Sequence, residues 1–361
     1  MKAKKFLTAA LLAGTALLAP LAASAASIPL MPAGLIAPDS TTMVPAGKFK
    51  KNGPWVIGVS WLGLGNTWIV QAIQETKYAA AGNPNIKEFR FLNASWQPTK
   101  QVSDIEDLIA DKVDLLIINP ISPGLVAAQV KEATAAGIPV VMLASDGVKA
   151  TGATVTIYAG GEAFGRTGGE FLRKELNDKG VIWAFRGIPG STEGAERYQG
   201  LLDALKGSHI KIGAVVYGDW NYAKAKGLCE NLVASGKPVD GIWFSGADMT
   251  RACFAVFKEL GKPLVPMTGE ANNGFLRAWK QAGADSVGPI FSPALGPATL
   301  NAAIDLLEGY PLYTAYVSDP APITQANFND YYRPDLNDAF WFPSTLPQSM
   351  IKKEFSISNN Q

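Results

Sequence analysis

From Pro54 onward the chain alternates between two hydrophobic patterns. Short, near-continuous apolar runs such as "WVIGVSW" (55–61), "IKEFRFLNA" (86–94), "VDLLIIN" (113–119) and "PVVMLAS" (139–145) each precede a stretch whose apolar residues recur at helical spacing or close a repeat of that kind. The helical stretches include "TWIVQAIQETKYAAAG" (67–82), "PTKQVSDIEDLIADK" (98–112) and "PGLVAAQVKEATAAG" (123–137). Continuous apolar strands suit a sheet covered on both faces, and strands alternating with helices over short turns predict parallel βαβ units. The rhythm restarts after a loop at 146–160. Strands are predicted at "VIWAFRG" (181–187), "IKIGAVVYG" (210–218), "VDGIWFSG" (239–246) and "SVGPIFS" (286–292), with helical stretches between them and a last one at "ATLNAAIDLLEG" (298–309). The predicted fold class is therefore α/β, with two Rossmann-like lobes, each built on a parallel sheet. A tail at 311–361 is rich in Pro, Tyr, Asn and Asp.

The first residues break this pattern. "MKAKKF" carries three lysines, "LTAALLAGTALLAPLA" is apolar, and "ASA" at 23–25 supplies small residues. This reads as a signal peptide at 1–25, cleaved after Ala25, followed by an extended arm at 26–53. The apolar stretch is short and alanine-rich for a membrane span, and no later segment reaches the roughly 18–20 apolar residues that a span needs. A soluble, periplasmic protein is expected.

Composition narrows the function. At 361 residues and 48% hydrophobic, the chain is long enough for two domains. A net charge of +1, without a basic run, gives no footprint for nucleic acid or an anionic membrane surface. The single histidine, His209, lies in the loop "KGSHIKIG" and leaves neither a metal cluster nor a Ser-His-Asp triad. "GLGNTW" (63–68) has Trp68 where a dinucleotide fingerprint has its third glycine. No enzyme and no cofactor is expected. Cys229 and Cys253 fall on predicted helices that flank the strand "GIWFS". A disulfide and a pair of buried thiols are both compatible with that placement.

In open α/β sheets, ligands sit beyond the carboxyl ends of the strands. In the first half those ends carry Trp61, Asn66, Trp68, Trp96, Asn119 and Asp146. In the second they carry Arg197, Trp220, Asp248, Glu270, Asn272 and Ser292. Amides, carboxylates and a guanidinium can pair with hydroxyls that donate and accept, and indole faces suit the C–H face of a sugar. Taken singly, Asn119 could instead cap the helix that follows it.

The motifs "GVSWLGLGNTW", "DLLIINP", "GIPVVMLASD" and "GIPGSTEGAERYQGL" resemble the type I periplasmic solute-binding proteins of ABC importers, in the ribose- and galactose-binding group. The resemblance spans about residues 54–310. It implies two lobes hinged by three crossings, with lobe 1 at 54–157 plus 292–318 and lobe 2 at 158–291 plus 319–361. It also implies a monomer that closes on a sugar or polyol and presents itself to a membrane permease; the alternative is a periplasmic sensor that signals to a membrane kinase or chemoreceptor. Family contacts map onto Asn66, Trp68, Asn119, Asp146, Arg197 and Trp220. The chain departs from the family at Ala247-Asp248, where Asn-Asp is usual, and at "GEANNG", where Glu270 or Asn272 replaces an Asp.

Overall fold

The computed structural model describes residues 36–144 and 152–357. The expected signal peptide and Asp146 lie outside the described residues. In the first lobe, strands β1 (Trp55–Trp61), β2 (Ile86–Asn93), β3 (Leu115–Asn119), β4 (Val140–Ala144) and β5 (Val155–Ala159) run parallel in the order β2-β1-β3-β4-β5. Helices α1 (Thr67–Ala81), α2 (Pro98–Ala110) and α3 (Ala127–Ala135) connect them. Every residue of β3 and β5 is buried, as continuous apolar runs require.

The second lobe repeats the design. It comprises α4 (Glu162–Glu175), β6 (Lys179–Arg186), α5 (Thr192–Leu205), β7 (His209–Tyr217), α6 (Tyr222–Ala234), β8 (Gly241–Phe244), α7 (Ala247–Glu259), β9 (Met267–Thr268), α8 (Asn273–Ala282) and β10 (Ser286–Val287). Its five strands are ordered β7-β6-β8-β9-β10, so in both lobes the first strand lies between the second and the third. The chain then returns through α9 (Leu295–Glu308), and β11 (Ala315–Ser318) joins β5 in parallel. Ala37–Pro38 of the arm adds an antiparallel edge to β11, which completes a seven-stranded sheet.

Three segments cross between the lobes: after β5, between β10 and α9, and after β11. Because β5 runs on to Ala159, the first crossing starts two residues later than the boundary drawn from the sequence at 157. Gly288 and Ile323 exchange backbone hydrogen bonds of 2.9 and 2.8 Å and tie the other two crossings together. Helices α4 and α5 of the second lobe meet through their glycines. A Cβ on Gly165 of α4 would stand 1.7 Å from the Arg197 carbonyl of α5, and one on Gly200 of α5 would stand 1.9 Å from the Glu162 carbonyl of α4. This contact fixes the rotation of α5 and hence the direction of Arg197.

The tail, assigned from the sequence to the second lobe, touches both. On the second lobe, Asn272 donates to the carbonyls of Asp338 and Phe340 at 3.0 and 3.2 Å, and Asn273 holds the Leu336 carbonyl at 2.8 Å. On the first lobe, Gln71 and Trp341 exchange two hydrogen bonds, of 3.1 and 2.8 Å. Glu75 accepts from the Ser344 hydroxyl at 2.7 Å and from the Thr345 amide and hydroxyl at 2.9 and 2.6 Å. The last helix, α10 (Gln348–Phe355), buries Ile351 and Phe355. Cys229 of α6 and Cys253 of α7 are joined by a disulfide with their Cα atoms 5.7 Å apart.

Candidate ligand site

The carboxyl ends of the two sheets face each other, and between them lies a cavity whose empty space, counted out to open solvent, is about 530 Å³. Its aromatic wall consists of Trp68, Trp96, Trp220, Phe291 and Trp341. Its polar lining is Asn66, Asn119, Glu193, Arg197, Asp248 and Glu270, with Leu62, Ile69, Gly246 and Ala247 completing it.

Trp68 sits in the first turn of α1, stacked on Phe291 with ring centroids 4.3 Å apart and planes 7° from parallel. Its indole N–H donates to the Phe291 carbonyl at 2.7 Å. Trp96 and Trp220 follow the second strand of their respective lobes, and each lies in a left-handed backbone pair: Ser95 and Trp96 have φ of 53° and 60°, Asp219 and Trp220 of 56° and 51°. Such conformations are uncommon for residues other than glycine. Trp96 donates its indole N–H to the Leu64 carbonyl at 3.0 Å, and Trp220 donates to the Ser245 carbonyl and hydroxyl at 2.9 and 2.8 Å. Each ring lies over a glycine after the first strand of its lobe. A Cβ on Gly63 would stand 2.4 Å from Trp96, and one on Gly187 would stand 2.2 Å from Trp220. The internal repeat therefore supplies the same glycine-and-indole device twice, once per lobe.

Asn66 is the N-cap of α1 and accepts on Oδ1 from the Ile69 amide at 2.9 Å; its Nδ2 has no hydrogen-bond partner among the described residues. Asn119 does not cap a helix. Its Nδ2 donates to the Leu143 carbonyl at 2.8 Å, and its Oδ1 is buried with no partner. Gln101 braces the same strand end by bonding the Asn119 carbonyl and the Ile121 amide at 3.0 and 2.8 Å.

Arg197 is 2% exposed and has a protein partner on each of its three nitrogens. Nε donates to the Gly160 carbonyl at 2.8 Å, Nη1 to the Ser245 carbonyl at 2.6 Å, and Nη1 also lies 3.4 Å from the Glu270 carboxylate. Nη2 pairs with Glu193, one helical turn earlier on α5. Phe164 packs on the guanidinium, 3.8 Å from it to the ring centre. Burial, opposed mainly by Arg197, pushes the Glu270 carboxyl up to about 7. Burial also pushes Asp248 upward against the pull of Arg251, which pairs with it at 2.9 Å. Burial raises Glu193 as well, although water reaches part of its side chain, so Glu270 is the strongly perturbed acid of the cleft.

Eight of the residues singled out from the strand ends line this one cavity: Asn66, Trp68, Trp96, Asn119, Arg197, Trp220, Asp248 and Glu270. Three do not line it. Trp61 is 1% exposed and packs in the core near Phe91, because it ends its strand facing the covering helices. Asn272 caps α8 and holds the tail. Ser292 shapes a crossing, donating to the Pro343 carbonyl at 2.8 Å and accepting from the Ala294 amide at 3.0 Å. Glu193, Phe291 and Trp341 were missed. The spacing of Glu193 four residues before Arg197 was a usable signal. Trp341 had none, since it lies in the aperiodic tail.

Two mirrored α/β lobes, three crossings and an interlobe cavity lined from both sides define a hinged ligand-binding protein. The chain belongs to the periplasmic binding protein domain family, whose model matches residues 57–311. It is 27% identical over 190 residues to a ribose import binding protein of Haemophilus influenzae, covering 52% of this chain and 64% of that one. The match thus spans a little under two thirds of that relative. A solute-binding protein structure from Thermobispora bispora is 26% identical with a TM-score of 0.72, covering 83% of this chain and 94% of that one. A structure from Bacillus halodurans with bound myo-inositol is 22% identical with a TM-score of 0.70, covering 78% and 98%.

Proposed function

We propose that the protein is the periplasmic substrate-binding component of an ABC importer, a monomer that closes its two lobes on a single sugar or polyol. The observation that carries this reading is the one cavity to which both sheets contribute indole faces and polar groups at their carboxyl ends. Relatives named for ribose import and crystallised with myo-inositol support the ligand class. The leader at 1–25 supports export.

Closure follows from differential contact. An open form offers the ligand one rim, and the closed form offers both, so the ligand shifts the population toward closure. Asn66, Trp68, Trp96 and Asn119 hold it from the first lobe; Glu193, Trp220, Asp248 and Glu270 hold it from the second. Arg197 acts on the ligand mainly through the two glutamates that it fixes. The joined outer surface of the closed form is what a membrane permease reads.

Isothermal titration of the mature protein with D-ribose, xylitol and myo-inositol tests this. Tight one-to-one binding of any of them, lost in Trp68→Ala and Asn119→Ala without loss of fold, is the expected outcome. A wild-type protein that binds no polyol ends the reading.

A further inference from the structure

The hydrogen-bonding inventory of the cavity is lopsided. Trp68, Trp96 and Trp220 each spend the indole N–H on a backbone carbonyl, and Trp341 spends its own on the Thr67 hydroxyl at 2.8 Å. Arg197, with partners on all three nitrogens, keeps at most one of its N–H groups for a ligand. Among the described lining residues, Asn66 Nδ2 is the remaining side-chain donor when Glu270 is ionised. Acceptors, by contrast, are in surplus. The buried Asn119 Oδ1 has no partner among the described residues, and the cavity is lined by three carboxylates: Glu193 and Glu270 share the one guanidinium of Arg197, while Asp248 pairs with Arg251, which is itself shared with Asp338. The amino end of α7, which could otherwise draw an anion, is already met by Glu270, which accepts from the Ala247 amide at 3.3 Å, and by Asp248 in the first turn.

A buried acceptor without a donor is costly, and surplus carboxylate charge in a desolvated cleft calls for a cation. The ligand must therefore bring protons. We propose that the cavity selects a polyhydroxylated ligand carrying a protonated amine, an amino sugar or amino-alditol, over its neutral counterpart, and rejects sugar acids. This deepens the sugar-or-polyol reading and rests on it. Hydroxyls donate to Asn119 and Glu193, the ammonium supplies three further donors beside Glu270 and Asp248, and the indole faces attract the charge by cation–π contact. The raised carboxyl of Glu270 fits the same account, since a bound cation favours its ionised form.

The test is calorimetry of the mature protein at neutral pH with matched pairs: D-glucosamine and D-glucose, D-galactosamine and D-galactose, 1-amino-1-deoxysorbitol and sorbitol, together with N-acetyl-D-glucosamine and D-glucuronate. The expected result is that at least one amine binds tenfold or more tightly than its hydroxyl partner. N-acetylation should erase the gain, and Asp248→Asn or Glu270→Gln should reduce it. If sorbitol or another neutral member binds and no amine exceeds its partner, or if glucuronate binds best, the inference is overturned while the polyol reading stands. If simple tetramethylammonium binds as well as the amino sugars, the polyol reading falls. Silence from every compound here overturns the inference; silence from D-ribose, xylitol and myo-inositol as well overturns the polyol reading.

Discussion

Trp96 of the first lobe and Trp220 of the second meet across the cleft, with ring centroids 6.2 Å apart and planes tilted by 38°. They occupy equivalent positions in the internal repeat, and the contact brings the two lobes together at the mouth of the cavity. Neither ring can make it when the lobes part. Aromatic pairs contribute about 0.5–1.5 kcal/mol beyond their buried area. A double-mutant cycle of Trp96→Ala and Trp220→Ala, read as ligand affinity by calorimetry, should show coupling of that size. Strict additivity would mean that the rings act on the ligand separately.

The glycines beneath these rings set up a sharper test. Gly63→Val and Gly187→Val place side-chain atoms where the Trp96 and Trp220 rings now lie. Each variant should keep its far-ultraviolet circular dichroism and lose ligand binding. Normal affinity in either would show that its indole is dispensable.

Stability of the unliganded protein should fall as pH rises. The folded-state value of Glu270 is raised above its ordinary 4.5 to about 7, so the folded protein holds this proton more tightly than the unfolded chain. Its contribution is complete below 4.5 and is lost as pH climbs through about 7. Glu193 and Asp248, also raised by burial, add to the trend, and the Arg197 guanidinium and the Ala247 amide oppose it. Urea unfolding between about pH 5 and pH 8 should show a downward slope that Glu270→Gln reduces.

Glu75, 1% exposed, is the anchor of the tail on α1. Glu75→Ala removes the acceptor of the Ser344 hydroxyl and of the Thr345 amide and hydroxyl, and leaves one N–H of the buried Gln71 amide, whose other N–H keeps the Trp341 carbonyl, without a partner, at about 1–3 kcal/mol for that orphaned group. Chemical denaturation should register a loss of that order, with Glu75→Gln milder. An unchanged midpoint would mean that the tail stands without this anchor.

The Cys229–Cys253 disulfide closes a loop of 24 residues between α6 and α7, away from the cavity. By the chain-entropy account its loss costs about 3 kcal/mol. Reduction should lower the unfolding midpoint and leave ligand affinity unchanged.

The sequence pattern carried the two βαβ lobes because buried parallel strands announce themselves as continuous apolar runs and their ends locate the cleft. It identified Asn119 and Trp220 as cleft residues for that reason. It could not separate Trp61 from Trp68, since facing depends on where alternation stops at a strand end. Nor could it reveal that the donors of Arg197 are consumed by neighbours, which follows only from how α4 and α5 interlock at Gly165 and Gly200. Trp341 was invisible because its place is set by long-range bonds to Gln71 and Thr67 rather than by any local period.

That indole has a consequence for how the molecule comes into being. In chain order, the lining of the cavity runs to Phe291 and then jumps to Trp341. A ribosome that has finished both sheets has built a vessel still lacking one side, and a later stretch of the chain supplies it. Removing that stretch would breach the container and also strip buried aromatic residues, Phe340 and Phe342 among them, from the core the lobes share.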